Sequence, residues 1–251
     1  MAEAARALDM IDVTPFTAAD AAAYEAHFAG VATQDMLAEL LEGELKGRIA
    51  AVSSFGTESA VLLHMIARVD RDVPVIFTNT QKMFGETLEY RDALSEQLGL
   101  TDLRVYRPDP RILAGKDATG LRWSYDPDGC CEIRKVEPLR RALLPFDAWI
   151  SGRKGFQSKT RTGIPRFEID EGRLKLNPLA DWDKERLDAY FETHELPRHP
   201  LEADGYPSIG CKPCTSKVLP GEDPRAGRWR GWEKVECGIH LPTRPGEEPV
   251  F

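Results

Sequence analysis

The chain has 251 residues, 42% hydrophobic and 29% charged, and its 33 Lys and Arg against 41 Asp and Glu leave a net charge of −8. This is the composition of a globular chain with one sizeable core, which excludes disordered and fibrous classes. An acidic total argues against a nucleic-acid binder, although a local basic pocket can still hold a small anion.

Met1 to Ile11 carries Glu3, Arg6 and Asp9 without an apolar run, so it does not read as a signal peptide. The apolar stretch Ala60–Ala67 is broken by His64 and is too short to span a bilayer. Cytoplasmic location is the expectation, with cysteines kept reduced. The first half alternates buried-strand and helix patterns. Strand-like runs cover 49–55, 73–77, 103–106 and 148–151, with helical periodicity at 57–68, 86–98 and 132–144. This alternation predicts an α/β fold, a parallel-type sheet with helices on both faces. Ligands in such sheets sit beyond the carboxyl ends of the strands, where strand order reverses. From Leu196 onward Pro and Gly accumulate. Pro220 to Pro224 reads as a hinge, dividing a body of residues 1–219 from a mobile C-terminal tail of 220–251.

Between the first strand and its helix lies Ser53-Ser54-Phe55-Gly56-Thr57-Glu58-Ser59, placed where backbone N–H groups and a helix dipole can hold phosphate or sulfate. It lacks the Walker lysine and resembles the modified pyrophosphatase-type loop of adenine-nucleotide alpha-hydrolase-like (PP-loop-like) enzymes. An ordinary N-capping turn, with Thr57 as cap, is the competing reading. Asn79 and Thr80 end the second strand on the ligand side. After the fourth strand, residues 151–163 hold Arg153, Lys154, Lys159 and Arg161, with Gln157 between them and no acid. Such a run is either a solvated face or an anion site.

Five cysteines remain. Cys130-Cys131 sits at the start of the 132–144 helix and Cys211-Lys212-Pro213-Cys214 follows about 80 residues later. Four thiolates can hold zinc or an iron–sulfur cluster. Adjacent helical ligands diverge by about 100°, which suits a cubane with separate iron corners better than one tetrahedral ion. Cys237 stands apart in Glu236-Cys237-Gly238-Ile239-His240. Arg225, Arg228, Arg230 and Lys234 lie upstream and favour its nucleophilic anion, while Glu236 opposes it.

Together, Ser53-Ser54-Phe55-Gly56, Cys130-Cys131-Glu132-Ile133-Arg134-Lys135, Asn177-Pro178-Leu179, Gly210-Cys211-Lys212-Pro213-Cys214-Thr215 and Glu236-Cys237-Gly238-Ile239-His240 resemble the assimilatory adenylyl-sulfate reductases, the cluster-bearing branch of the sulfonucleotide reductases. The resemblance implies a 4Fe–4S cluster on Cys130, Cys131, Cys211 and Cys214. It implies Cys237 as the nucleophile toward adenosine 5′-phosphosulfate (APS), with thioredoxin or a glutaredoxin-like donor releasing sulfite. Lys135, Arg225, Arg228 and His240 would assist the chemistry. The nucleotide would be bound by Ser53 to Glu58, Asn79, Thr80, Arg153, Gln157 and Arg161. The family often reads Leu-Asp-Thr-Gly where this chain has Thr78-Asn79-Thr80-Gln81. Two alternatives stay open: reduction of the 3′-phosphorylated nucleotide (PAPS), and a zinc-stabilised adenylate-binding regulator. Homo-oligomerisation is also open.

Overall fold

The computed structural model describes residues 15–157 and 161–240. Two N-terminal helices, α1 (Ala18–His27) and α2 (Thr33–Glu42), precede β1 (Ile49–Val52), α3 (Ser59–Val69), β2 (Val75–Thr78), α4 (Gly85–Leu98) and β3 (Leu103–Tyr106). Next come α5 (Pro110–Lys116), α6 (Pro127–Cys131), a π-helical turn (Glu132–Val136), α7 (Glu137–Leu143) and β4 (Ala148–Ser151). A hairpin, β5 (Phe167–Asp170) and β6 (Arg173–Leu176), and the helices α8 (Lys184–Thr193) and α9 (Pro200–Ala203) complete the elements.

One six-stranded sheet runs in the order β3-β2-β1-β4-β6-β5, parallel except for the β5–β6 pair. Side chains alternate across it with the period of two that a strand imposes. Ile49 and Ala51, Val75 and Phe77, and Ala148 and Ile150 enter the larger core with α1 to α4 and α8. Ala50, Ile76 and Trp149 face the other way, onto Leu139, Ala142 and Leu143 of α7. Helices therefore cover both faces, as the apolar runs require. Each buried Val, Ile, Leu or Phe among them contributes about 1.5–3 kcal/mol. Strand order reverses between β1 and β4. The loops leaving both strands thus open at the same end of the sheet, the place such folds use for ligands.

Three local expectations are corrected. The helix that carries the cysteine pair starts before Cys130, because Asp126 accepts the Gly129 N–H at 2.8 Å and Pro127 occupies the first turn. Its middle is π-helical rather than α-helical, and Lys135 still lines the same cavity as Cys131. Thr57 is not the cap of α3: that position is Glu58, without a side-chain cap bond, and the Thr57 hydroxyl donates to the Pro207 carbonyl at 2.9 Å.

Residues 220–240 pack on the body. Thr215 bridges Arg228, the Trp229 N–H donates to the Cys214 carbonyl at 3.0 Å, and Trp229 is 3% exposed. The Gly238–His240 turn rests on the π-helical turn so closely that a Cβ on Gly238 would lie 2.8 Å from Val136 Cγ2. Met1 to Ile11, Lys159 and the chain beyond His240 lie outside the described residues. Among the described residues, no helix is long and apolar enough to cross a membrane.

Candidate functional site

Two cavities meet at the carboxyl end of the sheet. The larger has a volume of about 370 Å³ and takes its walls from the β1 loop, the β4 loop and the tail. Ser53, Ser54, Gly56, Thr57 and Glu58 line one side. α3 starts here without a side-chain cap, its Ser59 N–H donating to the Gly56 carbonyl at 3.1 Å, and the positive end of its dipole favours an anion. Phe55 behaves differently. It adopts φ +49° and turns its ring into the core against Phe77, centroids 5.7 Å apart. Its strained backbone shapes the loop, while the side chain is packing.

Arg153, Lys154, Gln157 and Arg161 line the opposite side. Their charges are held by carboxylates distant in sequence. Lys154 is 3.1 Å from Glu58, and Gln157 donates to Glu58 at 2.7 Å. Arg153 pairs with Glu168 and reaches Asn177 Oδ1 at 3.3 Å. Arg161 grips Glu236 through two bonds of 2.7 and 2.9 Å. From the tail come Arg225, Arg228, Trp229, Glu236 and Cys237. Burial, then repulsion from Arg161, pulls Arg225 down to about 10, with Arg228 also lowering it and Glu236 opposing. An anion in this pocket would relieve that repulsion.

The smaller cavity, tight at about 10 Å³, is lined by Cys130, Cys131, Cys211 and Cys214. Local structure brings these distant segments together: Met83 bridges Cys211, the Lys212 N–H donates to the Lys82 carbonyl at 2.7 Å, and the Cys214 N–H donates to the Cys211 carbonyl at 3.0 Å. Thr80 falls here and not in the larger pocket, its hydroxyl 3.2 Å from Cys211 Sγ. A buried Arg134–Asp117 pair at 2.6 Å braces it, since Arg134 also donates to the Thr80 carbonyl at 2.9 Å. Burial, then the charges of Cys131 and Cys211, push the Cys130 thiol up to about 12. Burial with Cys211 and Cys131 raises Cys214 to about 11. Among the described residues, no group of three or more His, Cys, Asp or Glu is arranged to hold a single metal ion. The four sulfurs are spread around a chamber wall instead.

Lys135, Arg228 and Trp229 line both cavities and form the partition between them. Burial lowers the Lys135 pKa, but Cys211, Cys237 and Cys131 outweigh it and leave the amine raised, hence charged. Arg228 donates to the Ile209 carbonyl at 3.1 Å and lies 4.4 Å from the Trp229 ring. Its Nε is buried without a hydrogen-bond partner among the described residues.

Most residues singled out from the sequence thus line one cavity or the other. Asn79 lines neither and accepts the Gln81 N–H at 2.9 Å. The His240 side chain lies outside the described residues. Sequence reasoning missed Trp229, whose φ of +49° marks it as a strained position. It also missed Glu168, and it named Glu58 as a nucleotide contact without its pairing to the basic loop, which no local motif discloses.

Comparison with known proteins agrees with this geometry. Residues 48–217 match the family described as the phosphoadenosine phosphosulfate reductase domain. An adenosine 5′-phosphosulfate reductase of Mesorhizobium japonicum is 49% identical, covering 94% of this chain and 93% of its own. A phosphoadenosine 5′-phosphosulfate reductase of Gloeobacter violaceus is 41% identical, covering 77% and 82%. Among solved structures, phosphoadenylyl-sulfate reductase from Candida auris superimposes with a TM-score of 0.68 at 26% identity, over 81% of this chain and 98% of that one. Yeast FAD synthetase, at 15% identity and a TM-score of 0.51 over 78% and 72%, shares the fold alone. The chain therefore belongs to the phosphoadenosine phosphosulfate reductase family of oxidoreductases.

Proposed function

We propose that the protein reduces adenosine 5′-phosphosulfate to sulfite and AMP with electrons from a dithiol donor, in sulfate assimilation. The observation that carries this reading is the position of Cys237 on the wall of a basic pocket that shares Lys135 and Arg228 with a four-cysteine chamber.

The nucleotide phosphate sits at the β1 loop and the start of α3, and the sulfate points toward Cys237. The Cys237 sulfur attacks the sulfate sulfur. The bond between that sulfur and the bridging oxygen breaks, AMP leaves with the electron pair, and Cys237 is left as an S-sulfonate. Two anions must approach each other in this step. Lys135, Arg225 and Arg228 offset the repulsion and stabilise the charge on the departing phosphate. A donor thiolate of the thioredoxin type then attacks Cys237 Sγ, and sulfite leaves with the S–S electron pair. The donor's second thiol resolves the mixed disulfide and regenerates Cys237. The donor must reach Cys237, so the tail opens for this half-reaction. This reading places the chain in the cytoplasm, where such donors are kept reduced.

The chamber fits a 4Fe–4S cluster on Cys130, Cys131, Cys211 and Cys214. The Cys130, Cys131 and Cys214 thiols, costly to ionise when bare, become favourable ligands once iron shares their charge, and sulfurs spread around a wall suit the corners of a cubane. When bound, such a group supplies a polarising charge beside Lys135 and fixes the segments that carry its ligands.

The test is single turnover of the purified protein with the nucleotide alone, followed by intact-mass measurement. S-sulfonate on Cys237 and free AMP are expected, with sulfite appearing only after reduced thioredoxin is added. Sulfite release without a modified Cys237 would sink the mechanism. The two nucleotides are compared by kcat/KM, and a preference for the 3′-phosphorylated one would move the assignment to that substrate.

A further inference from the structure

Glu236 is out of place in this site. It lines a pocket built for anions, is only 7% exposed, and occupies guanidinium groups that a sulfonucleotide would use. Its carboxyl is held below the usual range: burial raises it, but the Arg161 hydrogen bonds and the charges of Arg161 and Arg225 prevail. A carboxylate here weakens anion binding unless it has another task.

Its contacts indicate the task. Arg161 holds Glu236 through both carboxylate oxygens, at 2.7 and 2.9 Å, with side-chain exposures of 9% and 7%. Through its other edge Arg161 donates to Gln157 Oε1, and Gln157 donates to Glu58 at 2.7 Å, at the cap of α3. On the tail side, Arg225 reaches Glu236 at 3.3 Å and the Val235 carbonyl at 3.0 Å, closing the tail on itself. An unbroken chain of bonds therefore runs from the phosphate loop through the basic loop to the residue next to Cys237. The tail's other ion pair to the body, Lys234 with Asp128, ends on a carboxylate that is 73% exposed and is the weaker anchor.

We propose that Glu236 is a positioning residue, a latch whose bidentate bond to Arg161 holds Cys237 over the nucleotide and couples tail closure to the phosphate loop. This rests on Cys237 being the nucleophile, as argued above. The latch contributes to the rate of the first step at some expense in anion affinity. Such a trade distinguishes it both from a fold-stabilising pair, whose loss lowers affinity and rate together, and from a competitor for the anion site, whose loss raises affinity without lowering the rate.

The experiment compares wild type, Glu236→Gln and the charge-keeping Glu236→Asp. AMP affinity is measured by calorimetry, S-sulfonate formation by single-turnover mass spectrometry, and tail opening by chymotryptic cleavage after Trp232, which is 44% exposed. For Glu236→Gln, AMP binds as tightly as to wild type or more tightly, the S-sulfonation rate falls roughly tenfold or more, and cleavage quickens by about as much. Glu236→Asp falls between. Unchanged cleavage, an unchanged rate, or affinity and rate falling in parallel overturns the latch. Absence of S-sulfonate in wild type would instead overturn the chemistry assigned to Cys237, while the cleavage comparison would still read the latch.

Discussion

The two cavities place cysteines in opposite settings only a partition apart. Around the chamber, Cys130 and Cys131 are buried and the Cys130 and Cys214 thiols are pushed up to about 12 and 11, so ionisation there is unfavourable without a metal to share the charge. Cys237 sits apart from the other thiols in a pocket lined by Lys135, Arg153, Arg161, Arg225 and Arg228, with an intermediate exposure like that of Cys211 and Cys214. Residue type alone therefore does not assign a role. Neighbours separate the two kinds of cysteine, four clustered thiols on one side and a set of cations on the other, and Lys135 and Arg228 line both cavities.

The most decisive way to break this comparison is to remove one member of each class. Cys237→Ser should abolish S-sulfonation and sulfite release, a loss of roughly 10³-fold or more, while iron content, acid-labile sulfide and AMP binding stay at wild-type levels. Cys214→Ser should lose iron and activity together. If Cys237→Ser also loses iron, the two classes are one. Next in size, Arg228→Ala removes a cation from the partition and should lower kcat/KM by about 10²-fold. The loss should appear largely in kcat, because Ser53 to Glu58 and Arg153 still bind the nucleotide.

How far the sequence alone discloses this arrangement depends on the range of the interactions. β1 to β4 were legible because each is a short, mostly apolar run leading toward a helix. Other elements were not, the β5–β6 hairpin among them. β5 and β6 are four-residue strands with alternating charge, Phe167-Glu168-Ile169-Asp170 and Arg173-Leu174-Lys175-Leu176, and Glu171-Gly172 between them turns with φ of +50° and +77° without the usual Asn-Gly signature. The π-helical turn was equally hidden, since its residues have ordinary helical propensity. In the site, the cysteines and the basic loop were legible from spacing and composition. Their partners were not: Glu58 lies 99 residues from Gln157, and Glu236 lies 75 from Arg161, so only the folded chain brings them together. The sequence treats Glu236 as a liability to Cys237, whereas the structure shows its charge held by Arg161 and Arg225.

A smaller effect tests how the partition is held. Gly210 precedes the Cys211 turn, and a Cβ there would lie 2.5 Å from Arg228 Cζ. The guanidinium is the end of a flexible side chain, so it can swing aside at little cost to folding. Gly210→Ala should therefore leave the melting temperature within about 2 °C of wild type and lower kcat/KM by about tenfold. A large fall in stability with unchanged kcat/KM would show that Gly210 serves packing rather than Arg228.

The smallest expected effect concerns the loop that touches both cavities, with Thr78 on the larger and Thr80 on the chamber. Gln81 closes this loop at φ +61°, in the left-handed region that favours glycine. A side chain held there costs about 1–2 kcal/mol, and the greater freedom of glycine in the unfolded chain returns about 0.5–1 kcal/mol of that. Gln81→Gly should thus stabilise the protein by about 0.5–1 kcal/mol, read as a rise of a few degrees in melting temperature. Because Gln81 is exposed and lines neither cavity, kcat/KM should stay within about threefold of wild type. A larger change would mean that the strain at Gln81 sets the position of Thr80 against Cys211, tying this loop to the chamber rather than to the nucleotide pocket.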